Sequence, residues 1–371
     1  MLGALEAKVA FEKVGKMLND WYCFIRQNNI QHATKLREEI KIILPNMKEN
    51  QNVLLYFNLI DSRFKLMTEN YKESGDLLND IKSKALESCT DDMIQYYFYF
   101  FSGLYEFYKK RFTKAINFYR IAESRLHKIP DEIERAEFNY QVAIAYYEIR
   151  QNYFSLNHAE RALESFKANG MYSNRAATCQ MVIACNKMDL LQYNEAEDIF
   201  KRAIKEAAQA NEKRAEALGY FNLGICYERQ EKLDAARQSF ESALDIPEHQ
   251  RSVYSVRSMY MLTRVLCKKG LIDEAQEWYK KAIYEAAKAG ETTYEAKLNI
   301  IKSLYMDLNE TSLEKGFNVL KENNLWSDVA ELSQNAGKHF KKKEHQALAA
   351  KYFEEALIAK DQIQRLTEGI D

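Results

Sequence analysis

Small residues and aromatics recur at fixed steps along most of this chain. A recurring unit restricts a fold more than any bulk property does, because each copy can bury its apolar face only against the next. The clearest copy reads YFNLGICYERQEKLDAARQSFESALDIP, with Tyr220, Leu223, Gly224, Tyr227, Ala236, Phe240, Ala243 and Pro247 as its spaced positions. Small Gly224 and Ala236 let two antiparallel helices approach closely, and the aromatics fill the space between one pair and the next.

This spacing is close to the tetratricopeptide pattern, with the proline one place early. The same register picks out Gly103, Ala115, Tyr119 and Ala122; Ala143, Ala159 and Ala162; Ala184, Ala196, Phe200 and Ala203; Ala275, Tyr279 and Ala282; and Gly337, Ala349, Phe353 and Ala356. A more degenerate unit lies between Leu304 and Leu320. About seven helix pairs are expected over residues 93–371. From Gly103 to Ala143, to Ala184 and to Gly224 the intervals are 40, 41 and 40 residues, longer than the usual ~34, so the helices or their loops are extended. Only 12 Gly and 3 Pro in 371 residues leave little turn chemistry and agree with an almost wholly helical chain. The expected fold is all-α, with an amino-terminal three-helix bundle followed by a right-handed superhelix of repeats.

The bundle is read over residues 1–71. In KVGKMLNDWYCFIRQ, Val14, Leu18, Trp21, Tyr22 and Ile25 give one apolar face. Asn28 and Asn29 punctuate the first join, and Pro45 stops the second helix or opens the third. Residues 72–92, rich in Ser, Asp and Lys, read as a connector, in part helical.

Charge and composition exclude several functions. A net charge of −1 argues against general nucleic-acid binding, which needs a basic excess. No run of about 18 apolar residues occurs, and Glu6, Lys8, Glu12 and Lys13 interrupt the start, so a soluble, cytoplasmic protein without a signal peptide is expected. Cys23, Cys89, Cys179, Cys185, Cys226 and Cys267 form no CxxC pair and sit at apolar helical positions, as reduced core thiols. The six histidines show no zinc-ligand spacing, so neither a metal nor another cofactor of its own is expected. The basic run KHFKKKEHQ at 338–346 reads as a solvated turn.

Two sets of residues remain for function. First helices of such pairs line the concave side, which places Tyr140, Tyr147, Asp189, Asn222 and Tyr260 on the inner face. An amide, a carboxylate and amphipathic rings suit an extended peptide, although packing is the plain alternative for the tyrosines. The second set is the polar stretch MKENQ running into VLLYF. Gln51 has no useful pKa and can serve only to hold something in place.

LNDWY (18–22), MKENQNVLLYF (47–57), YYFYFFSGLYEF (96–107) and YFSLNHAERAL (153–163) together resemble the Rap family of Bacillus response-regulator aspartate phosphatases, over essentially the whole chain. The resemblance implies a quorum-sensing component that binds a response-regulator receiver of the sporulation phosphorelay and hydrolyses its aspartyl phosphate. It also implies inhibition by a short Phr-type peptide in the repeat lumen, which makes the bundle join the repeats. By position Gln51 matches the family glutamine inserted into the receiver's phosphorylation site, where it would orient a water while the receiver supplies the divalent cation, Mg. Glu49, Leu54 and Asp131 fall near the regulator contact, and Tyr147, Asp189 and Asn222 in the peptide site. The chain departs from the family in two places. Ser62 stands where an aromatic commonly grips the receiver, and Lys297 and Asn299 stand where some members carry an acid, implying a different peptide. The alternatives are a non-catalytic antiactivator that sequesters a DNA-binding regulator and, less favoured by the balanced charge of the bundle, direct transcriptional control.

Overall fold

The computed structural model describes residues 8–87, 91–252 and 254–367. All its regular elements are helices, apart from one isolated parallel bridge between Val9 and Met47. The chain divides into two compact units, one up to Val182 and one from Ile183 onward.

The first unit opens with α1 (Phe11–Arg26), α2 (Ile30–Ile43) and α3 (Gln51–Met67). Val14, Leu18, Trp21, Tyr22 and Ile25 of α1 are all buried, as the periodicity requires. Asn28 takes a left-handed φ of 57°, and the Asn29 side chain accepts from the His32 N–H at 3.2 Å to cap α2. Pro45 sits in a single 3-10 turn, Leu44–Asn46, between α2 and α3.

Residues expected to form a connector are largely helix α4 (Tyr71–Ala85). It packs on α3 through buried Ser62 and Ser74, whose hydroxyls lie 2.8 Å apart. Gly75 makes room for the next helix, since a Cβ there would come within 2.6 Å of the Tyr105 ring. Then follow α5 (Asp92–Tyr108), α6 (Phe112–Leu126), α7 (Glu132–Glu148) and α8 (Asn152–Lys167). The aromatic run of α5 supplies buried Tyr96, Phe100 and Phe101, which meet α1 through Tyr22 and α7 through Phe138. Bundle and first repeats therefore share one apolar core.

Helix α9 (Ser173–Asp189) runs across the division. The second unit continues with α10 (Tyr193–Gln209), α11 (Lys213–Arg229), α12 (Leu233–Leu244), the one-turn α13 (Pro247–Gln250), α14 (Ser255–Lys269), α15 (Ile272–Ala289), α16 (Thr292–Tyr305), α17 (Glu310–Glu322), α18 (Trp326–Lys342) and α19 (Gln346–Thr367). The seven expected pairs are α5/α6, α7/α8, α9/α10, α11/α12, α14/α15, α16/α17 and α18/α19. The register residues are where the helices touch. A Cβ on Gly224 would lie 2.6 Å from the Phe240 ring, and one on Gly337 would lie 2.7 Å from Phe353. Pro247 opens α13 rather than closing α12, which accounts for its displaced position.

Turns within pairs use few glycines because other residues take the left-handed conformation. Lys110, Arg150, Leu191, Glu231 and Glu344 all have φ near 60°. Such a residue costs roughly 1–2 kcal/mol, and glycine's extra chain entropy takes back roughly 0.5–1 kcal/mol. Leu191 is 71% exposed and packs little. Leu191→Gly is therefore expected to stabilise the second unit by about 0.5–1 kcal/mol, read as a higher urea midpoint. A lower midpoint would show that the Leu191 side chain contributes more than its backbone costs.

Candidate functional site

The candidate regulator-facing residues sit where α3 begins. Val9 and the segment before α3 are tied by two backbone hydrogen bonds, Val9 N–H to Asn46 at 2.8 Å and Lys48 N–H to Val9 at 2.9 Å. Asn50 then caps α3, its side chain accepting from the Val53 N–H at 3.1 Å. Gln51 is thus the first residue of a capped helix, on a backbone held from both sides. Its side chain is exposed, as is that of Glu49, and Leu54, one turn on, is 38% exposed. The next residues, Leu55, Tyr56 and Phe57, are buried. The change from polar to apolar in the sequence is therefore the rim of the bundle, with Gln51, Glu49 and Leu54 on its outer side.

Asp131 caps α7, accepting from the N–H groups of Ile133 and Glu134 at 2.9 and 3.2 Å. It also pairs with Arg26 at the end of α1, 2.6 Å away. Partial burial pushes its carboxyl up, but the hydrogen bond and charge of Arg26 outweigh this and hold it below the usual range. In this arrangement Asp131 is a contact between bundle and repeat. Arg26 reaches on to Glu134 at 3.3 Å, and Glu134, wholly buried, accepts from Tyr22 at 3.1 Å and Tyr96 at 3.0 Å. Burial raises the Glu134 carboxyl to about 7 against the opposing pull of Arg26 and the tyrosine hydroxyls. One turn along α7, buried Glu137 meets Arg63 of α3 at 3.6 Å and Arg175 at 2.9 Å.

Ser62 does not offer a receiver-gripping position here. It is fully buried against α4 and bonded to Ser74.

The inner-face residues divide between the units. In the first, Tyr147 is half-buried, and Tyr140 is buried beneath the Arg175 guanidinium, 5.1 Å from its ring centre. In the second, Asn222 is half-buried on α11 and Tyr260 is buried on α14. Asp189, expected to meet a ligand's cation, is paired with the chain's own Arg229 at 2.5 Å. Asn299 is spent on the Tyr279 hydroxyl, 2.8 Å away, whereas Lys297 is buried beside Tyr260 and Tyr294.

Sequence reasoning missed the charges around Tyr260. Arg264, 3% exposed, bonds Glu228 at 3.1 Å and Glu331 at 2.5 Å, and Lys268 bonds Glu228 at 2.5 Å. A signal existed for Arg264, which stands four residues after inner-face position Tyr260. Four residues is one helical turn, so the two share that face.

Among the described residues no group of three or more His, Cys, Asp or Glu side chains is placed to hold a metal ion. Cys23, Cys179, Cys185, Cys226 and Cys267 are free thiols, and Cys89 lies outside the described residues. No described helix is long and apolar enough to cross a membrane.

A helical bundle joined to stacked pairs of this register defines a tetratricopeptide-repeat protein with an added amino-terminal head. Residues 8–69 match the family described as response regulator aspartate phosphatase H, N terminal, and residues 183–249 match the tetratricopeptide repeat. Response regulator aspartate phosphatase I of Bacillus subtilis (strain 168) is 33% identical, covering 96% of this chain and 93% of its own. Regulatory protein RapC of the same organism is 36% identical, covering 96% of each chain. A crystal structure of a Rap protein complexed with competence and sporulation factor superposes with a TM-score of 0.88 at 33% identity, over 96% of this chain and 99% of that one. The apo form of RapI gives 0.72 at 32% identity, over 95% and 98%. The chain belongs to the Rap family of response regulator aspartate phosphatases.

Proposed function

We propose that this chain hydrolyses the aspartyl phosphate of a response-regulator receiver of the sporulation phosphorelay and is turned off by a short Phr-type peptide. The exposed Gln51 at the capped start of α3 carries this reading. Its carboxamide oxygen accepts a hydrogen bond from a water and its NH2 donates to a phosphoryl oxygen, holding the water in line. The water oxygen bonds to phosphorus as the bond to the aspartyl oxygen breaks, and the aspartate leaves as a carboxylate. Glutamine does this without acting as a base, as in the GTPases. The receiver brings the phosphoaspartate and its Mg ion; Glu49 and Leu54 contribute contact beside the amide.

Control follows from the position of the bundle. Here Arg26 and Arg63 tie it to α7, and Asp131, a candidate regulator contact, is occupied by Arg26. We read this docking of the bundle on α7 as the peptide-favoured arrangement, with Asp131 withdrawn from the regulator. Peptide favours it by binding it more tightly than the undocked one, through half-buried Asn222 and the charged surroundings of Asp189 and Tyr260 in the second unit.

Mixing the purified chain with a phosphorylated receiver is expected to release phosphate faster than the receiver alone. Unchanged release across the phosphorelay receivers would reject catalysis. The second reading, a non-catalytic antiactivator holding a DNA-binding regulator, is favoured by one observation: relatives named as regulatory proteins match this chain as well as those named phosphatases. Displacement of such a regulator from DNA in a gel shift, with phosphate turnover at background, would select it.

A further inference from the structure

Two deeply set cations share the Tyr260 ring in the second unit. The Arg264 guanidinium lies 5.6 Å from its centre and the Lys297 ammonium 6.0 Å, and Lys297 also lies 4.7 Å from the Tyr294 ring. Neither cation can turn to water, with side-chain exposures of 3% and 10%. Their outward partners come from a single helix and differ in this respect. Glu331 on Arg264 is 42% exposed, and Asp328 on Lys297, at 2.6 Å, is 31% exposed. The Arg264 Nε is buried with no acceptor among the described residues, so the guanidinium has an unused donor.

The groups around this place include Glu228 and Arg229 of α11, Tyr260, Arg264 and Lys268 of α14, Tyr294, Lys297 and Tyr305 of α16, and Asp328 and Glu331 of α18. Glu228 is itself buried and anchors Arg264 and Lys268 from within. Fixed positive charge is thus closed over by two acids that, unlike the cations they pair with, reach solvent. We propose that Arg264 and Lys297 form a seat for a carboxylate of the bound peptide, and that Asp328 and Glu331 of α18 occupy this seat until the peptide displaces them. The proposal rests on the peptide reading above and names its chemistry: an acidic side chain or the free C-terminus. A carboxylate here gains charge-assisted bonds in a desolvated place, whereas a cationic peptide would meet only the exposed edges of Asp328 and Glu331, where ion pairs contribute little.

The test is affinity selection on the full chain, read by mass spectrometry, with three pools of synthetic pentapeptides. One carries Asp or Glu with an amidated C-terminus, one has a free C-terminal carboxylate and no acidic side chain, and one carries Lys or Arg with an amidated C-terminus. Retention is expected in the first or second pool at least tenfold above the third, and which of the two responds identifies the source of the carboxylate. Lys297→Gln should reduce that retention at least tenfold. The double variant Asp328→Asn, Glu331→Gln should raise it at least threefold, a gain that misfolding cannot produce. Preferential retention of the cationic pool, or equal retention of carboxylate peptides by Lys297→Gln and the parent, would overturn the seat alone. Retention of no pool by the parent would overturn the peptide reading and the seat with it.

Discussion

Replacing Arg26 with alanine is expected to cost the first unit about 3–5 kcal/mol at pH 8, the usual result of leaving a buried charge without its partner. Glu134 is wholly buried and Arg26 is the cation against it, with Asp131 as the second acid it serves. Hydrogen exchange should show α1 and α7 losing protection together, because the pair joins them. The cost should shrink toward pH 6. Burial holds the Glu134 carboxyl up at about 7, against an ordinary value of 4.5, so the folded chain keeps a proton there that the unfolded chain has released. Stability from this group is fully present below the ordinary value and is lost as pH rises through about 7. At about 1.4 kcal/mol per pH unit, the fall is at most about 3.5 kcal/mol. Asp131 has the opposite sign: its lowered pKa makes its contribution fail only in acid, well outside that window. Glu134→Gln should therefore flatten the stability profile between pH 5 and 8. An Arg26→Ala chain with unchanged stability and exchange would show that the pair does not hold the bundle.

The fold was legible because tetratricopeptide packing repeats at fixed residues. Gly224 against Phe240 and Gly337 against Phe353 are contacts that tolerate almost no other choice, so the register survives in the sequence. Helix α4 was harder to see. Its apolar face is reduced to Leu78, Ile81 and Ala85, with Gly75 and Ser74 doing the packing, and small or polar residues carry little periodic signal. Turns filled by Leu191 and Glu231 in the left-handed conformation escaped notice for a related reason, since glycine is the sign usually read there.

Within the candidate site, the partners of the charged residues were not legible. Asp189 does lie within the second unit beside an arginine, but that arginine is Arg229, 40 residues on in the same chain. Arg26, Arg63, Glu134 and Glu137 read as ordinary charges on helix surfaces, yet three of them are more than nine-tenths buried, and Arg26 nearly so. Only the docking of α1 and α3 on α7 makes them partners. Ser62 was read as a lost contact with a receiver, whereas its burial against Ser74 is a requirement of the α3/α4 packing.

The larger effect concerns Gln51. Removing one group that acts only in the transition state costs about 100- to 1,000-fold in turnover. Gln51→Ala is expected to lose at least that much of the acceleration. Stability should be almost untouched, because the side chain is exposed and the Asn50 cap is intact. Binding of the receiver should also persist, since Glu49 and Leu54 remain to make contact. A loss of binding in step with turnover would make Gln51 an anchoring residue instead.

The most direct measurement follows phosphate release from one phosphorylated receiver with the parent chain, with Gln51→Ala, and with neither. The account predicts fast release only with the parent, while both proteins bind the receiver with similar affinity. Equal acceleration by the two chains would contradict it.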